Sequence, residues 1–66
     1  MIVEKIGINA GVVWKALDGV KELSTKDLKK ATKLTEKDLT YALGWLAREG
    51  KVSFTENEKD IFVKLS

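Results

Sequence analysis

Two helix-start signals stand close together in this chain, Ser24 with Asp27 and Thr35 with Asp38, and they restrict its fold more than any other feature. In each pair a hydroxyl side chain is placed to accept from the backbone amide three residues on, and an acid in the first turn suits the positive end of a helix. The stretch from 24 to 35 must then hold one helix, its stop and the cap of the next. This spacing predicts a helix over about 25–32, a tight turn through Lys33, Leu34 and Thr35, and a further helix that ends at Gly50. Leu28 and Ala31 are the expected inward side of the first, and Leu39, Ala42, Leu43 and Leu46 that of the second.

Residues 2–18 carry Ile6, Ala10, Val13 and Leu17 at helical spacing, flanked by Val3, Gly7 and Trp14, with Gly19 as the natural stop. Gly7 and Gly11 each cost roughly 1 kcal/mol against alanine, which leaves the start of this helix open. Val20 to Leu23 alternates and suits a short edge strand or an extended connector. After Gly50 the period changes to alternation, with Val52 and Phe54 on one strand and Ile61, Val63 and Leu65 on the next. The polar cluster from Glu56 to Asp60 reads as the turn between them.

The chain has 66 residues, which fits one domain over residues 1–66. It contains no cysteine and no histidine, so disulfides, thiolate and imidazole catalysis and ordinary zinc sites are excluded. No cofactor and no metal are expected. There is no apolar run of the ~20 residues that span a bilayer, and the first residues lack the pattern of a signal peptide, so the expected place is the cytoplasm. The net charge is only +2. Residues 1–20 and 51–66 each sum to zero, and the excess lies in between, where Lys21, Lys26, Lys29, Lys30, Lys33, Lys37 and Arg48 face Glu22, Asp27, Glu36, Asp38 and Glu49.

The element order helix, short strand, helix, tight turn, helix, hairpin resembles a winged helix-turn-helix domain over essentially the whole chain. The stretches Tyr41-Ala42-Leu43-Gly44-Trp45-Leu46-Ala47-Arg48-Glu49-Gly50-Lys51 and Asn9-Ala10-Gly11-Val12-Val13-Trp14-Lys15-Ala16-Leu17 look like the small stand-alone bacterial winged-helix proteins of largely unassigned function. The resemblance implies an α+β fold of three helices, a short strand and a C-terminal hairpin wing. It also implies a third helix lying in the major groove of duplex DNA and a wing that touches the flanking backbone or minor groove. Two departures stand out. The turn carries Lys33 where such sequences often have glycine, and a left-handed backbone there would be strained. The wing tip carries Glu56, Glu58 and Asp60 against Lys59, so it would meet phosphates with like charge.

Stepping about 100° per residue along the third helix puts Lys37, Thr40, Tyr41, Gly44, Trp45 and Arg48 on its outward side. Lys37 and Arg48 can contact phosphates or guanine edges, Thr40 and Tyr41 can donate hydrogen bonds, and Gly44 lets the helix approach a groove closely. In the competing reading Lys37 and Arg48 are solvated charges, Tyr41 and Trp45 pack against the hairpin or first helix, and Gly44 makes room for a neighbour. For Trp45, packing is the preferred reading. Lys26, Lys29, Lys30 and Lys33 form a basic ridge on the second helix, read either as a solvated face or as a phosphate track.

Ile8 and Val12 lie nearly opposite the core side of the first helix, and glycines beside them permit close approach. A homodimer that buries this face is the expected explanation; the other is that residues 1–8 are not helical. The leading function is a small dimeric DNA-binding protein, a transcriptional regulator or nucleoid-type accessory factor, without catalysis. The alternative is a winged helix used for protein association through Tyr41, Trp45 and Arg48.

Overall fold

The computed structural model describes residues 2–66. Its elements run α1 (Ile2–Leu17), β1 (Leu23–Ser24), α2 (Thr25–Thr32), α3 (Glu36–Arg48), β2 (Val52–Glu56) and β3 (Ile61–Leu65). Both predicted caps form: Ser24 Oγ and Thr35 Oγ1 each accept from the amide three residues on, Asp27 and Asp38, at 3.1 Å. Each cap satisfies an amide that the first helical turn would otherwise leave unpaired. Between the two helices the backbone turns through Lys33 at φ 59° and ψ 21°, the left-handed conformation, and the Lys33 amide donates to the Lys29 carbonyl at 2.9 Å. The chain therefore uses a strained lysine where glycine would fit without cost.

The helices stack on one face of a three-stranded antiparallel sheet ordered β1-β3-β2. α1 is helical from Ile2, so the two internal glycines do not delay its start, and the non-helical reading of residues 2–8 is set aside. Ala10, Val13 and Leu17 bury against Leu39, Ala42, Leu43 and Leu46 of α3, Leu28 of α2, and Val52 and Val63 of the sheet. Leu17, Leu28, Val13 and Val63 are the largest side chains fully enclosed, and burial of each contributes about 1.5–3 kcal/mol.

Four expectations need correction. The first strand is not Val20–Leu23 but Leu23–Ser24, because pairing with β3 (Leu23 opposite Val63, Ser24 opposite Phe62) sets it rather than local alternation. Ala31 is exposed, since Leu28 alone fills the α2 contact and the partly buried Leu34 in the following turn supplies the next apolar group. Ile6 is only half-buried, whereas Asn9, a polar residue, is buried one helical turn away. Phe54 and Ile61 are 46% and 42% exposed despite correct alternation, because an open groove separates them from α3.

Candidate nucleic-acid interface

α3 is held at both ends. Its cap fixes the first turn, and Lys5 of α1 lies with its Nζ 3.3 Å from Asp38 Oδ2, a partly exposed pair worth at most about 1 kcal/mol. Gly50, at φ 71°, turns the chain from α3 toward β2, with the Lys51 amide bonded to the Leu46 carbonyl at 2.9 Å. The buried stripe of Leu39, Ala42, Leu43 and Leu46 then fixes the rotation of the helix.

That rotation leaves Lys37, Thr40, Tyr41, Gly44, Trp45 and Arg48 all on the exposed surface. Trp45 is 40% exposed and outside the buried core, so it packs only in part and leaves one side of its ring on the surface. A Cβ built at Gly44 would meet nothing within 4 Å, which removes the idea that this glycine makes room for a neighbour. The Lys37 ammonium sits 6.0 Å from the centre of the Tyr41 ring, within cation–π range.

On α2 and in the turn that follows it, Lys26, Lys29, Lys30 and Lys33 come together around Leu34 in a shallow depression of about 490 Å³. The ridge is therefore a single surface. Lys26 also reaches across to the wing, with its Nζ 3.7 Å from Asp60 Oδ1, and so offsets part of the acidity at the tip. The tip itself is closed by Asn57, whose side-chain oxygen accepts from the amides of Lys59 and Asp60 at 2.9 Å. Ile8 and Val12 are 69% and 39% exposed on α1, on the same helix as the exposed Ile2, Val3 and Trp14.

One feature escaped the sequence. A groove of about 550 Å³ runs between α3 and the hairpin, lined by Thr40, Leu43, Gly44 and Ala47 on one side, Phe54, Glu56 and Ile61 on the other, and Thr25 of α2. No local signal marks it: Phe54 lies opposite the fully buried Val63 and Ile61 opposite Glu56, and the placement of the hairpin across from α3 leaves both uncovered. Among the described residues no group of three or more metal-ligating side chains is assembled, and no helix is long and apolar enough to cross a membrane.

Three helices, with α2 and α3 joined by a tight turn and followed by a hairpin, define a winged helix-turn-helix domain. The chain belongs to the family described as Winged helix-turn-helix domain (DUF2582), which matches residues 1–65. It is similar to the solution NMR structure of protein BT2368 from Bacteroides thetaiotaomicron, with a TM-score of 0.87 and 34% identity over 98% of this chain and 79% of that one. It is also similar to HlyU from Vibrio cholerae N16961, with a TM-score of 0.70 and 30% identity over 85% of this chain and 59% of the other. For reduced HlyU from the same organism the TM-score is 0.67 and the identity 28%, over 97% of this chain and 79% of the other. Among curated proteins nothing matches.

Proposed function

We propose that this domain is a non-catalytic DNA-binding protein of the cytoplasm, a small transcriptional regulator or nucleoid-type accessory factor that reads duplex DNA with α3. The observation that carries this reading is the exposed row of Lys37, Thr40, Tyr41, Gly44 and Arg48 on a rigidly capped α3, next to the lysine surface of α2. Membership in a winged helix-turn-helix family supports it. Lys37 and Arg48 hold phosphates near the reading helix, and Lys29, Lys30 and Lys33 extend that contact along the backbone, with Lys26 at its edge offset by Asp60. The acidic tip contributes little. Two copies associate through α1, which covers Ile8 and Val12.

Charge reversal tests the orientation. Lys37→Glu with Arg48→Glu should abolish measurable binding of a generic duplex in fluorescence anisotropy, whereas Lys59→Glu should leave it within about threefold. A larger loss from Lys59 would place the wing, not α3, on the DNA. The exposure of Tyr41 and Trp45, 43% and 40%, favours one other reading, a protein interface anchored by these aromatics. Under that reading no duplex binds.

A further inference from the structure

Thr40, Gly44 and Ala47 follow one another at intervals of four and three residues, so they form one row along α3, and this row is the helix side of the groove facing Phe54 and Ile61. The Thr40 hydroxyl donates to the Glu36 carbonyl at 2.8 Å. With that oxygen held back against its own helix, the group Thr40 offers to the groove is its methyl. Gly44 offers open space, and Ala47 offers a second methyl. Phe54 and Ile61, both more than 40% exposed, complete an apolar lining. Apart from Glu56 at the wing rim and the Thr25 hydroxyl at the start of α2, nothing along this lining is placed to pair with the nitrogen and oxygen edges of bases.

The charge around the groove fixes what enters it. Lys37 and Arg48 lie on the neighbouring strip of α3, and Lys26 and Lys29 of α2 line the adjoining depression that shares Thr25, Thr40, Leu43 and Ile61 with the groove, a complement to phosphate rather than to an apolar peptide. In the major groove the only apolar group that a standard base presents is the C5 methyl of thymine, which is read by contact with alanine, threonine methyl and phenylalanine side chains. We infer that the groove between α3 and the hairpin selects duplex DNA by C5 methyl groups, with Thr40, Ala47 and Phe54 as the specificity-determining contacts. This rests on the DNA-binding reading of α3 proposed above.

Replacing thymine by deoxyuridine in a short A·T-rich duplex removes the methyl and leaves every hydrogen-bonding edge in place. The thymine duplex should bind about fourfold more tightly for each methyl contacted, and about fifteenfold for two. Installing 5-methylcytosine in a G·C-rich duplex should raise affinity by a similar factor. Thr40→Ser keeps the bond to the Glu36 carbonyl and deletes the methyl, so it should shrink the thymine-to-deoxyuridine ratio about fourfold with the melting temperature unchanged. Equal affinity for the two duplexes overturns the methyl reading and leaves DNA binding by α3 standing. Absence of binding to either overturns both.

Discussion

Replacing Lys33 with glycine should stabilise the domain. Lys33 is the one described residue other than glycine at positive φ, at 59°. A side chain in that conformation brings its Cβ against the carbonyl, at a cost of roughly 1–2 kcal/mol. Glycine removes this cost but gives back about 0.5–1 kcal/mol through the greater freedom of its unfolded chain. The net gain is about 0.5–1 kcal/mol, since glycine keeps the amide that donates to the Lys29 carbonyl. For a domain of this size that is a rise in melting temperature of about 2–8 °C. Lys33 also sits among three other lysines, so a second variant must separate backbone strain from charge repulsion. Lys33→Ala removes the ammonium and keeps the Cβ. Thermal and urea unfolding followed by circular dichroism should rank glycine above both lysine and alanine. Alanine and glycine variants of equal stability would show that repulsion along the ridge, not the left-handed turn, sets the cost.

Gly44→Ala should raise stability by about 0.5–1 kcal/mol, because α3 gains helix propensity and the new methyl meets nothing within 4 Å. Gly44→Leu should melt near the wild-type temperature while losing DNA affinity; a large, concentration-independent drop in melting temperature would instead mean that this face packs internally. Val12→Glu should leave the fold intact and convert a dimer to a monomer by placing an unpaired charge in the α1 contact, and sedimentation that finds wild-type monomer at high micromolar concentration contradicts the association. Thr35→Ala should cost about 1 kcal/mol through loss of the α3 cap in denaturant unfolding, and a cost near zero would show that water replaces the bond to the Asp38 amide.

Local rules recovered the helices because their determinants are local. The caps at Ser24 and Thr35, the stops at Gly19 and Gly50, and the buried row from Leu39 to Leu46 each depend on neighbours within a turn or two. β1 was harder to place since a two-residue strand is defined by its partner, and nothing near Leu23 specifies Val63. Lys33 shows another limit: the turn geometry was legible from the spacing of the caps, but a lysine in left-handed conformation contradicts local preference and is imposed by packing on either side. The exposed positions of α3 followed from its period. The apolar groove did not, because Phe54 and Ile61 alternate correctly as strand residues, and only the position of the hairpin relative to α3 leaves them uncovered.

The central claim is that α3 and α2 together hold duplex DNA through their basic side chains, and its most direct test is the salt dependence of binding to generic duplex DNA. Lys26 is already committed to Asp60, which leaves Lys29, Lys30, Lys33, Lys37 and Arg48 to replace condensed counterions. Neutralising about five phosphates gives a slope near −4.5 in log affinity against log salt, so a fourfold rise in salt should weaken binding about 500-fold. Binding that changes less than about threefold over that range, or no binding at the lower salt, contradicts the claim and points to an apolar protein partner for the same face.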